Sequence, residues 1–234
     1  MQKNLSLFIA VAMLFCTALS PEAQAKPGAN GAAGKGKYAS KNIQLDLRDW
    51  GRLNAYLRED AIVIDDPLRD YTICCKAPDW VVSIYSKKRK IVSRVPLEKY
   101  DGGLAGRLTK MTGGGFQKGQ EWQVIGKGKV LDYLCTVRGI KPDAKNPRDR
   151  SCWRHYAARE LPVKPQILDF YYKSYGIPPM DGFCLKFVTG SDMPSTLIEA
   201  HSIKDLKSNS DPFAIPAGLK KASLEEVMFV QQDF

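Results

Sequence analysis

Short apolar runs with period-two alternation, cut at intervals by turn-forming clusters, most constrain what this chain can fold into. Across residues 80–85, Trp80, Val82 and Ile84 alternate with Val81, Ser83 and Tyr85; a basic turn, Lys87-Lys88-Arg89-Lys90, follows, and residues 91–95 return as a second strand. Alternation of this kind puts successive side chains on opposite faces, which a strand does and a helix does not. Residues 61–64 and 71–75 are short apolar or β-branched runs, separated by Asp65-Asp66-Pro67, a natural turn. Residues 122–125 and 129–138 read as a hairpin around Gly126-Lys127-Gly128, with Leu131, Tyr133, Cys135 and Val137 sharing one face, and residues 152–158 are placed to pair with its second arm. Phe183, Leu185 and Phe187 alternate again, and residues 196–206 form a further strand. Residues 38–58 fit either a short helix or an edge strand. The sum is a mainly β (α+β) fold of antiparallel strands.

Helices are few. Residues 165–175 carry proline in the first turn, a stripe of Ile167, Leu168, Tyr171, Tyr172 and Tyr175, and then Gly176 and Pro178-Pro179 as a stop. An amphipathic helix must bury its stripe, and a sheet is what this chain offers. Leu104, Leu108 and Met111 predict a short helix ended by Gly113-Gly114-Gly115, and Ser223 with Glu226 forms a capping box for a last one.

The N-terminus adds a compartment. Lys3, an apolar run over residues 5–19 and Ala23-Gln24-Ala25 read as a secretory signal peptide, residues 1–25, cleaved on export. Residues 26–37, almost all Gly, Ala and Lys, predict a disordered linker, and residues 38–234 a single domain. Export places the chain in the periplasm, with secretion as the alternative. It also makes nucleic acid a poor explanation of the net charge of +10, leaving anionic lipid or cell-wall polymer, or a solvated surface. An oxidising compartment predicts that Cys74, Cys75, Cys135, Cys152 and Cys184 enter disulfides, with one left over. Cys135 with Cys152 is the favoured pair, Cys184 reaching Cys74 or Cys75, a vicinal Cys74–Cys75 bridge being the alternative.

No motif carries catalysis. His155 and His201 lack a nucleophile elbow or a cysteine signature, no Cys-x-x-Cys pair invites a metal, and the glycine triplet is not followed by the lysine and hydroxyl of a phosphate loop. The chain is therefore expected to be no enzyme and to need no metal or cofactor. Alternation alone leaves open whether the aromatic faces fill a solid core or line a lipid pocket.

The string from Trp80 to Val95-Pro96-Leu97-Glu98-Lys99-Tyr100, the strand at residues 128–137, the Tyr175-Gly176-Ile177-Pro178 turn and Phe213-Ala214-Ile215-Pro216-Ala217-Gly218-Leu219 together resemble the LolA-like lipoprotein-localisation-factor superfamily. The resemblance implies a curved antiparallel sheet forming an unclosed β-barrel, with helices covering its concave face. It further implies a non-enzymatic carrier of a lipid or acyl chain, with lipoproteins or envelope proteins as partners, monomeric and at most peripheral to the membrane. The wall of the cavity would then come from Trp80, Ile84, Leu131, Tyr133, Phe183, Leu185 and Phe187, and the lid from Ile167, Leu168 and Tyr171. The alternative is a cell-envelope module whose basic surface holds an anionic polymer or a protein partner.

Overall fold

The computed structural model describes residues 40–48, 50–103, 106, 121–141, 152–161, 163–190, 193–206 and 211–228, all within one compact unit, Gly36–Phe234. The expected signal peptide, the linker and most of the helix read at Leu104 to Met111 fall outside these residues. Along the chain run β1 (Lys41–Leu47), β2 (Gly51–Arg58), β3 (Ala61–Asp66), β4 (Tyr71–Lys76), β5 (Val81–Ser86), β6 (Ile91–Pro96), β7 (Trp122–Val130), β8 (Tyr133–Ile140), β9 (Arg154–Ala158), helix α1 (Pro165–Tyr175), β10 (Phe183–Thr189), β11 (Ser195–Asp205), β12 (Lys220–Lys221) and helix α2 (Leu224–Met228).

All strands join one curved, 12-stranded sheet in the order β12-β6-β5-β4-β3-β2-β1-β11-β10-β9-β8-β7, with β12 and β7 as its ends, so the barrel is not closed. Every pairing is antiparallel except β12 on β6. The undecided stretch at residues 38–58 is a pair of strands, because Ile43, Leu45 and Leu47 on β1 and Leu53, Ala55 and Leu57 on β2 each bury alternate residues on the same face. Period two wins there over any helical reading.

Helix α1 forms over the residues its stripe predicts. Gly176 closes it in the left-handed conformation (φ 61°), its N–H donating to Lys173 O and that of Ile177 to Tyr172 O. At α2 the capping box is real: the Ser223 hydroxyl accepts from Glu226 N at 3.1 Å and the Glu226 carboxylate from Ser223 N at 2.6 Å. Both helices bury their apolar residues in the main core on the concave face.

Two departures from the sequence reading concern strands. The β7–β8 turn is Leu131-Asp132, not Gly126-Lys127-Gly128, which lie inside β7 beside a register shift between Val124 and Gly126. The glycines allow a bulge rather than a reversal. Residues on β3 to β6 are buried on both faces, not one: Ala61, Val63, Cys74, Tyr85 and Val92 form a second cluster closed by Phe213. The segment around Phe213 covers the outer face there, and the Arg58 guanidinium lies 4.7 Å over its ring.

Candidate functional site

Most of the expected wall and lid residues belong to the main core. Ile84, Phe183, Leu185 and Phe187 from the sheet and Ile167 and Tyr171 from α1 are all under 2 % exposed in one continuous apolar cluster, against which Trp80, Tyr133 and Leu168 pack while partly exposed. Leu131 is the exception: it sits in the β7–β8 turn with φ 53° and 42 % exposure, so it lines nothing. Trp80 likewise precedes its strand, in a turn with φ 48°. At these wall positions the interior is filled by protein. Phe183 lies 4.3 Å from the Tyr171 ring, and Phe187 stacks edge-on to Trp153 at 5.8 Å.

The lid is held by hydroxyls as well as by packing. Tyr171 donates to Cys184 O at 3.0 Å, Tyr172 to Gly182 O at 2.5 Å, and Ser174 to Phe170 O at 2.8 Å, while Tyr100 and Ser174 share a hydrogen bond of 3.1 Å. Burial pushes the Tyr171 and Tyr175 phenols well above their usual range, so both stay protonated.

Space opens at the C-terminal end of α1. A cavity of about 20 Å³ lies between the helix and β1 to β4, lined by Leu47, Trp50, Leu53, Ile64, Tyr71 and Ile73, with Asp66, Gly103, Ser174 and Tyr175. That volume holds one water and no more. The Tyr175 hydroxyl is buried there without a hydrogen-bond partner. Trp50, one of the lining residues, is pinned by Arg69, whose guanidinium stacks 4.2 Å over the indole and donates to Trp50 O at 3.0 Å. Arg69 is itself fixed by Asp66, which also accepts from the N–H groups of Leu68 and Arg69, an arrangement foreshadowed by the Asp65-Asp66-Pro67 turn. Sequence reading missed Trp50, Tyr71 and Tyr175 as a set, because they come from separate turns and a helix end that only the sheet order brings together.

On the outer face a shallow polar groove of about 560 Å³ runs between β1 and β11, lined by Asp46, Arg48, Arg52, Thr196, Glu199 and His201. Its charges answer one another: Asp46 accepts from Arg52 Nε at 3.0 Å and lies 2.8 Å from His201 Nε2, and Arg52 beside it holds the carboxyl below its ordinary range. The second histidine, His155, is fully buried with both ring nitrogens unpartnered, and burial drives it down to about 3. Among the described residues no hydroxyl or thiol is hydrogen-bonded to either imidazole, and no cluster of three metal-ligating side chains occurs.

Among the described residues no disulfide joins Cys74, Cys75, Cys135, Cys152 and Cys184. The register explains why. Cys135 pairs with Ala158 on β9, whereas Cys152 lies before that strand begins, about 20 Å away along it at strand rise. A bridge needs Cα atoms within about 7 Å. Cys74 and Cys75 point to opposite faces of β4, one in each core cluster, and β3, β2, β1 and β11 separate β4 from Cys184 on β10. Burial raises the Cys74 thiol to about 11 and that of Cys75 to about 12.

Comparison with solved structures finds distant likenesses. A LolA superfamily protein from Nitrosomonas europaea is 8 % identical with a TM-score of 0.25, the match covering 73 % of this chain and 86 % of that one. An outer membrane lipoprotein-sorting protein domain from Vibrio parahaemolyticus is 10 % identical at TM-score 0.26, covering 74 % and 86 %. An uncharacterized conserved protein from Thermus thermophilus is 10 % identical at TM-score 0.35, covering 79 % and 90 %. Likenesses at these scores carry no weight toward function. No family model matches the chain, and no curated protein matches it. Among the described residues no helix is long and apolar enough to cross a membrane.

Proposed function

We propose that this protein binds the apolar chain of a lipid between the sheet and α1, as an exported, non-enzymatic carrier. The observation that carries the reading is the cavity under the end of α1: a mostly apolar lining that also holds Asp66, Tyr71 and Ser174, in which the buried Tyr175 hydroxyl has no partner. A fatty-acid carboxylate or an ester carbonyl is an acceptor of the kind that hydroxyl lacks, and the lining supplies transfer free energy of about 0.8 kcal/mol per buried methylene. Pockets that enclose a ligand of this size run to about 300–1,000 Å³. The present cavity is therefore the closed state of the site, and a bound chain displaces Trp50 and the C-terminal turn of α1.

The test is titration of purified protein with a fluorescent long-chain fatty acid, alongside mass spectrometry of lipid that co-purifies. Saturable binding is expected, weakened about three- to tenfold in Tyr175→Phe by loss of one hydrogen bond. Absence of binding at any chain length would sink the proposal. That result would favour the second reading, an envelope interaction module with a permanently solid core, which draws support from the tight packing at Ile84, Phe183, Leu185 and Phe187.

A further inference from the structure

The pairing of β12 with β6 brings together two basic runs that lie far apart in sequence. Lys220 and Lys221 form β12, and they align with Ile91 and Val92, directly after the turn Lys87-Lys88-Arg89-Lys90. The contact is fixed by backbone, since Lys220 N donates to Lys90 O at 2.9 Å and Ala222 N to Val92 O at 2.9 Å. Arg89 faces inward: it donates to Glu226 O at 2.6 Å and also to Val227 O, locking α2 against the turn. Lys87, Lys88, Lys90, Lys220 and Lys221 are exposed, and no ion pair involving them is formed among the described residues. The carboxylates nearby are Asp70, Glu225 and Glu226. Asp70 accepts from Ser86 and Glu226 from Ser223; the three carboxylates offset part of the charge of the five lysines and leave the corner positive.

The corner has a definite position relative to the cavity. Strand direction alternates, so the turns that follow β1, β3 and β5 lie at one end of the sheet. Trp50, in the first, and Asp66, beside the second, line the cavity, and Arg69 of the second clamps Trp50; the third is the basic turn, tied to the second by the Ser86–Asp70 hydrogen bond of 2.5 Å.

We infer that this lysine corner docks the protein on a bilayer surface rich in anionic phospholipid, with the end of the sheet that carries the cavity-lining turns facing the lipid. The inference rests on the lipid-binding reading for its choice of a bilayer over a polymer, because a chain that enters at that end must come from there. Each lysine brought near an anionic surface adds to the attraction, and the sum falls off steeply with salt.

Sedimentation with vesicles tests it. Protein is mixed with phosphatidylcholine vesicles with or without roughly 30 % phosphatidylglycerol, at low salt and at about 0.5 M salt. Binding is expected only with the anionic lipid and only at low salt. A variant carrying Lys87→Glu, Lys88→Glu, Lys220→Glu and Lys221→Glu should bind at least about tenfold more weakly, whereas Lys127→Glu with Lys129→Glu on β7 should not. Equal binding to neutral vesicles, survival at high salt, or equal loss in the β7 variant overturns the inference, as does binding to soluble polyanions with none to vesicles. Should the fourfold variant melt early, Lys88→Gln with Lys221→Gln is read by the same comparison. Fatty-acid titration of the same samples separates the two proposals: uptake without docking removes this one alone, and docking without uptake removes the carrier reading.

Discussion

His155 is the residue whose environment is most at odds with its chemistry. It is enclosed by Trp122, Tyr172 and Phe187 rings at 5.7–6.4 Å, its nitrogens have no partner, and Arg138 pairs with it across β8 and β9. Desolvation first and the Arg138 charge second hold it neutral, with a pKa near 3 against an ordinary 6.5. A histidine depressed in the folded state binds its proton more readily when unfolded, so acid favours unfolding. The effect begins as pH falls through 6.5 and grows until about 3; between pH 7 and pH 5 it removes about 2 kcal/mol of stability. Denaturant melts at the two pH values should show that loss in the native protein and a much smaller one in His155→Phe. An equal slope in both would show that the imidazole does not stay neutral. The sequence showed a histidine in a strand and no partner for it, but burial among four elements is a tertiary fact that no local pattern records.

At the scale of elements, α1 is held by a close backbone approach as well as by its stripe. The chain at Gly102 and Gly106 passes so near the last turn that a Cβ at Gly102 would meet Lys173 O at 2.5 Å, and Gly102 has φ 113°. Gly102→Ala should therefore cost about 2–3 kcal/mol from overpacking and backbone strain, measured by chemical denaturation. A cost below about 0.5 kcal/mol would mean the helix end floats free of this segment. Local grammar made α1 legible: proline at the start, a 3.6-residue stripe and a left-handed glycine stop all agree. It failed at β7, where Gly-Lys-Gly reads as a turn and is a bulged strand, because Leu131-Asp132 supplies the reversal with a residue at positive φ that sequence does not favour. Strand existence was readable from alternation, but burial of β3 to β6 on both faces was not, since the Phe213 segment that covers them lies far along the chain.

For the whole molecule, α1 and the open sheet share one core, closely filled around Phe183 and Phe187 and looser at the end beside Tyr175, where the cavity lies. The compartment reading points the cysteines toward disulfides, and the structure joins none of them: Cys74 and Cys75 face opposite sides of β4, and Cys135 stands opposite Ala158 rather than Cys152. Burial of Ile84, Phe183, Leu185 and Phe187 was legible because apolar alternation marks the buried face, whereas the cavity, which none of the expected wall residues lines, was not, because volume depends on how α1 seats. The central claim is that an apolar chain enters at this looser end. Photolabelling with a diazirine fatty acid, followed by peptide mapping, addresses it directly. Labels should concentrate on Leu47, Trp50, Leu53, Tyr71 and Tyr175 and be competed by unlabelled fatty acid. Labels confined to the outer face, or none that excess fatty acid displaces, would contradict it.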